Sequence, residues 1–192
     1  MRESLLGAMC TISDCFNRAG IVYGIGASVM LHYLGLVEDP HDIDILVTPK
    51  CVQNAVGLLS RLGVGTKQDK SGVYLTERFY KFNISGENVD LMCGFGVRDE
   101  AEGVCTMYPF DASCTPCSRE ICGVNVKFTT PEEWFVLYLL IPGREPKVEM
   151  LQNYLLCHGA NTALLERSLR WTLPARARRR VESLLEKLTA AK

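Results

Sequence analysis

Three aspartates are the residues most able to do chemistry. Asp42 and Asp44 lie one residue apart in Pro40-His-Asp-Ile-Asp-Ile-Leu-Val47, and Asp90 lies in Val89-Asp-Leu-Met-Cys93. Side chains alternate along a strand, so Asp42 and Asp44 point one way while Ile43, Ile45 and Val47 point into a core. Two carboxylates side by side repel each other and would weaken an ordinary sheet. That pairing calls for a positive partner between them. A divalent cation gripping a nucleoside triphosphate fits, because hard cations take carboxylate oxygens. Asp90 interrupts an otherwise apolar strand, on the face opposite Val89, Leu91 and Cys93. A carboxylate there needs a partner unless the strand faces water.

The elements that must position these acids come just before them. Gly20-Ile-Val-Tyr23 reads as a strand, Gly24 to Gly26 as a tight turn, and a short amphipathic helix opens near Ser28 and ends around Gly35. Ser28 stands where an N-cap belongs, with the free N–H groups of a helix N-terminus behind it. Gly24, Gly26, Ala27 and Ser28 are therefore candidates for a phosphate cradle. The plainer reading is a strand-to-helix turn and nothing more. Asp42 and Asp44 downstream favour the cradle. His32 reads as packing on that helix, and His41, beside Asp42, as a residue able to orient the site or to contact substrate.

Gly26-Ala-Ser28 followed by Asp42-Ile-Asp44 resembles the signature of the polymerase-β-like nucleotidyltransferase superfamily. That signature is a hydrophobic residue, Gly, then Gly or Ser, a short helix, and Asp-hydrophobic-Asp/Glu. Pro40-His-Asp-Ile-Asp-Ile45 is similar to the matching segment of the small aminoglycoside nucleotidyltransferases and their minimal relatives. The likeness covers about the first half of the chain. One departure is Ala27, which displaces the hydroxyl residue to Ser28. The resemblance implies an α+β fold, a mixed β-sheet flanked by helices and followed by a C-terminal helical bundle. It implies that Asp90 supplies a third carboxylate from a neighbouring strand. It also implies two Mg2+ ions held by Asp42, Asp44 and Asp90, a nucleoside triphosphate (ATP or another NTP) as substrate, and transfer of its nucleoside monophosphate to an acceptor hydroxyl with loss of pyrophosphate. Two metals about 4 Å apart can stabilise the attacking and the leaving oxygens together.

Length and composition set the frame. The 192 residues make one domain, or one domain with a helical appendage. We expect a nucleotidyltransferase-like part over 1–129 and a helical part over 130–192. Apolar residues make up 47%, and no run approaches the ~20 that a membrane span needs. The N-terminus lacks the sustained apolar stretch of a signal peptide, so the expected location is cytoplasmic. A net charge of −1 argues against a generally basic nucleic-acid binder. Of nine cysteines, most read as small buried hydrophobes. Cys105, Cys114, Cys117 and Cys122 cluster loosely, and their spacing leaves open a zinc site, a redox pair or a loop with incidental thiols.

The remaining chain divides by periodicity. Apolar residues at helical spacing predict helices over about 3–18 and 52–62. Gly72-Val-Tyr-Leu-Thr, Phe79-Tyr-Lys-Phe-Asn-Ile84 and Val89–Cys93 read as strands, with a turn over Ser85-Gly-Glu-Asn88. Residues 94–121 read as irregular, and 120–129 as a final hairpin or edge strand. Thr130-Pro-Glu-Glu133 opens a buried helix that Pro142-Gly143 breaks. Three more helices follow. Docked on the sheet, the 132–141 helix would bring Arg144 and Lys147 to the mouth of the carboxylate site as triphosphate contacts. The competing reading makes them solvated helix-end cations. Arg176, Arg178, Arg179 and Arg180 point around a helix and read as solvated surface rather than an RNA groove. The acceptor stays open among a small molecule, a protein side chain and an RNA end. A second class of function is also open: a catalytically weak or inactive interaction module, such as one partner of a toxin–antitoxin-like pair.

Overall fold

The computed structural model describes residues 1–115 and 117–190, which form two compact units. Residues 1–70, 76–95 and 109–130 make the first. Residues 71–75 and 96–108, with the chain from Pro131 onward, make the second.

The first unit is α+β. It opens with α1 (Glu3–Arg18), whose Leu5, Met9, Ile12 and Phe16 are fully buried along one stripe. The chain leaves α1 through Ala19 and Gly20, the latter at φ +65. β1 (Tyr23–Ile25), α2 (Ala27–Tyr33), β2 (Asp42–Val47), α3 (Val52–Leu62), β3 (Val64–Gln68), β4 (Arg78–Ile84) and β5 (Glu87–Cys93) follow. The first strand thus starts later than the sequence implied, and Gly24 belongs to it rather than to a turn. Its glycine answers to packing instead: a Cβ on Gly24 would lie 2.5 Å from Thr115 Cγ2 and 2.8 Å from Thr129 Cγ2. β3 escaped the sequence reading because four of its five residues are exposed, so no apolar alternation marks it. The turn before β5 is also shorter than expected. Only Ser85 and Gly86 form it, both at positive φ, and Glu87 and Asn88 pair within the hairpin.

In the second unit β6 (Gly96–Arg98) and β7 (Cys105–Met107) form a hairpin. Both fall in the stretch expected to be irregular. They are three residues each, too short for a periodic signal. In the first unit β8 (Cys117–Ile121) and β9 (Val124–Phe128) make the expected last hairpin, turning at Cys122 and Gly123. The large sheet runs β3-β4-β5-β2-β1-β9-β8 and is mixed: β2 lies parallel to β5, β1 parallel to β9, and the other pairs are antiparallel. β2 is therefore central, with both edges of the sheet remote from it.

The second unit continues with α4 (Pro131–Leu140), α5 (Glu145–His158), α6 (Thr162–Ser168) and α7 (Ala175–Ala190). Every residue of α4 from Glu132 to Leu140 is buried. Two buried acids are held within this unit. Glu133 accepts from Tyr108 Oη at 2.8 Å and pairs with Arg167, and Asp99 receives Arg176 Nε and Nη2 at 2.9 and 2.6 Å. The arginine cluster is thus not simply solvated surface. Arg176 Nη1 also donates to Leu139 O at 2.9 Å, and Arg180 pairs with Glu145 at 2.8 Å. A buried carboxylate demands a bidentate cation, and that demand is invisible in a run of consecutive arginines. Among the described residues no helix is long and apolar enough to cross a membrane.

Candidate metal-binding site

β2 and β5 bring the three aspartates together through strand register. In the parallel pair, Asp44 lies opposite Asp90 and Asp42 opposite Asn88. Opposed residues share a face, so all three carboxylates rise from one side of the sheet. On the other side Ile43, Ile45, Val89 and Leu91 are fully buried. This apolar layer fixes the register, because a one-residue slip would send the acids into the core. Each aspartate is half-buried, and their ligand oxygens all lie within 4.8 Å of one another. Three hard oxygen donors at that spacing suit a hard divalent cation. Among the described residues this is the one such group of three or more side chains, and Cys105, Cys114, Cys117 and Cys122 do not form another.

The electrostatics follow from burial. Desolvation pushes the Asp90 carboxyl above its ordinary range. Lys81 opposes that shift, with Nζ 4.0 Å from the carboxylate, and the charge of Asp42 adds to it.

The turn that carries the second motif differs from expectation in one respect. The cap of α2 is Gly26, with no side-chain hydrogen bond, and Ser28 is the second helical residue rather than the N-cap. Ser28 Oγ turns instead toward Asp42, lying 3.3 Å from Oδ1 and 3.5 Å from the carbonyl oxygen. The Gly26 N–H donates to Asp44 O at 3.0 Å, so β2 already uses it. Ala27, at φ +45, starts the helix. By helix geometry its N–H and that of Ser28 have no intrahelical acceptor. Gly24 lies in β1 opposite Leu46. His32 Nδ1 is 2.8 Å from Val37 O, which fits its packing role, and the His41 carbonyl accepts from Arg2 Nη2 at 3.5 Å.

Arg144 and Lys147 belong to the second unit. Arg144 caps α5 and is exposed. Lys147 Nζ sits 5.1 Å over the Tyr138 ring and 3.5 Å from its hydroxyl. The sequence reading missed Glu87, which is 7% exposed and joined to Arg2 at 2.9 Å and to Ser4. It lay in a stretch read as a turn, and its partners are more than eighty residues away. The signal available was an acid at a strand start with a basic residue near the chain start, which is too generic to act on.

No family model matches the chain, and no curated protein matches it in sequence. Solved structures do resemble it. TM1012 from Thermotoga maritima, assigned provisionally as a nucleotidyltransferase, superposes with a TM-score of 0.63 at 22% identity, over 81% of this chain and 94% of that one. ANT(2″)-Ia, determined with adenylyl-2″-tobramycin, gives 0.56 at 15% identity over 96% and 97%. The lincosamide antibiotic adenylyltransferase LnuA, determined with lincomycin bound, gives 0.51 at 14% over 80% and 98%. At these identities the likeness speaks for the fold. With the mixed sheet and the acid-bearing β2–β5 pair already in view, the chain shares the fold of these nucleotidyltransferase structures.

Proposed function

We propose that the protein is a metal-dependent nucleotidyltransferase that moves a nucleoside monophosphate from an NTP to an acceptor hydroxyl and releases pyrophosphate. The observation that carries this reading is the gathering of Asp42, Asp44 and Asp90 on adjacent parallel strands, with ligand oxygens within 4.8 Å of one another. Asp42 and Asp44 would hold the cation that grips the triphosphate, and Asp90 with them would hold a second. Bound there, Mg2+ would supply charge neutralisation of the triphosphate and of the leaving pyrophosphate. Asp90 would take the proton of the acceptor hydroxyl as that oxygen bonds to the α-phosphorus. The bond from the α-phosphorus to the bridging oxygen of pyrophosphate then breaks. The Ala27 and Ser28 N–H groups would bind phosphate oxygens, with Gly26 as the cap of their helix and Gly24 in the strand that leads to it. Ser28 Oγ, beside Asp42, would hold that carboxylate in place. Nine free cysteines fit a reducing, cytoplasmic setting.

Incubation with each of four α-labelled NTPs, Mg2+ and pools of small hydroxyl compounds, proteins and RNA tests this. Label should appear in one pool and pyrophosphate in solution, and Asp44→Asn should cut both by about 100-fold or more. Calorimetry separates the rival interaction module: failure of the wild type to bind any Mg2+–NTP would leave that module and remove the enzyme.

A further inference from the structure

The acid-bearing face does not stop at Asp90. Strand register extends it outward as two rows, Asp44-Asp90-Lys81-Thr66 and Asp42-Asn88-Asn83-Val64. At about 4.8 Å per strand, the reach from Asp90 to Thr66 is about 10 Å, the length of a substituted sugar. Beyond the three aspartates neither row holds a carboxylate. What they hold instead are donors. Lys81 is 57% exposed and Asn83 and Asn88 are exposed. The Asn83 carbonyl oxygen accepts from Gly86 N at 3.2 Å, which turns its amide nitrogen into the group left to donate outward. The Phe79 ring lies 5.6 Å from the same ammonium and flanks it along β4.

This chemistry has a sign. A polyamine acceptor needs carboxylates for its ammonium groups, and on this flank it would meet an ammonium 4.0 Å from Asp90. A long polyanion such as RNA needs several phosphate-binding cations, and the two rows offer one. We propose that this flank is the acceptor subsite and that Lys81 makes it select a small polyhydroxylated molecule bearing one anionic group, such as a phosphorylated sugar. The inference rests on the transferase reading above, since it supposes that an acceptor is brought beside Asp90. Lys81 and Asn83 engage the anion, and Asn88 and Thr66 bind hydroxyls.

The test is an amide chemical-shift titration of the labelled full-length protein. Mg2+ with a non-hydrolysable ATP analogue is added first, to fill the phosphate positions. Shifts around Gly26 to Ser28 and Asp42 to Asp44 report on the transferase reading by itself. Glucose 6-phosphate, glucose and glucosamine are then added in parallel. Glucose 6-phosphate is expected to shift Thr66, Lys81, Asn83 and Asn88 and to bind roughly tenfold more tightly than glucosamine, the worth of one charge-assisted hydrogen bond. Lys81→Ala should abolish that preference and Lys81→Glu reverse it. The subsite is overturned if the nucleotide analogue binds but glucose 6-phosphate leaves those four amides unmoved, or if either variant keeps the wild-type order. No nucleotide shift at all removes the transferase reading instead.

Discussion

Arg2 Nη2 lies 2.9 Å from Glu87 Oε2, joining the residue before α1 to the first residue of β5. The same guanidinium reaches Asp39 at 3.5 Å and the His41 carbonyl at 3.5 Å. It therefore ties together the strand start that precedes Asp90 and the loop that leads into Asp42. A cation at the chain start thus holds the two acid-bearing strands in step.

That tie gives a pH dependence. The hydrogen bond from Arg2, then that from Ser4, holds the Glu87 carboxyl below its ordinary range. A group with a depressed folded pKa contributes stability above its unfolded value, about 4.3, and loses it as the pH falls through the folded value. Glu87→Gln should therefore melt below the wild type at pH 7, and the gap should close on acidification below about pH 4. A gap that stays constant from pH 7 to 3 would show that the glutamate matters for shape and not charge.

Asp90 has the opposite sign. Its carboxyl is pushed up by burial, so ionisation at neutral pH costs the folded state more than the unfolded one. Metal-free Asp90→Asn should melt above the metal-free wild type at pH 7, and the difference should shrink as the pH falls from the raised folded value to the ordinary carboxylate value. Mg2+ at 100 times its dissociation constant should then stabilise the wild type by about 2.7 kcal/mol and the variant by much less. Paired thermal melts with and without Mg2+ read both effects. An Asp90→Asn protein that Mg2+ stabilises as strongly as the wild type would take Asp90 out of the ligand set.

How far the sequence reaches is clear from particular residues. Asp42, Asp44 and Asp90 were legible because alternation fixes which way a strand side chain points: Asp44 and Asp90 each lie between two buried residues, and Asp42 precedes buried Ile43. α1 was legible for the analogous reason at helical spacing. β3 was not, since an exposed edge strand has no apolar face to mark it. Nor was the Arg176–Asp99 pair, whose partners are 77 residues apart and belong to no local pattern. Ser28 shows a finer limit. The cap falls at Gly26, two residues before the expected Ser28, which changes the hydroxyl from a cap to a neighbour of Asp42.

Gly24 makes a sharper case, because its glycine is required by close packing in β1. An added Cβ would lie 2.5 Å from Thr115 Cγ2 and 2.8 Å from Thr129 Cγ2. Thr129 Oγ1 also donates to Ile25 O at 3.1 Å, so that side chain is not free to turn away. Gly24→Ala should destabilise by about 1–3 kcal/mol, the usual cost of overpacking. Denaturant unfolding checks it. An unchanged midpoint would mean that the two threonines yield without cost.

Lys147 separates a binding role from a structural one. In its own unit the ammonium sits over the Tyr138 ring at 5.1 Å, a contact worth about 0.5–1 kcal/mol when partly exposed. Lys147→Ala should therefore lower the melting temperature only slightly. If Lys147 binds the triphosphate, the same change should weaken Mg2+–NTP binding by roughly tenfold, the value of one charge-assisted contact. Lys147→Arg keeps the charge and should recover most of that affinity, while Lys147→Met keeps the packing and should not. Calorimetry on the three variants, with melts alongside, distinguishes the roles. Unchanged affinity in Lys147→Ala would leave the cation as a partner of Tyr138 alone. A large loss of stability with parallel loss of binding in Lys147→Met would make it structural, and the nucleotide contacts would then have to be sought among the turn at Gly26 to Ser28 and the three aspartates.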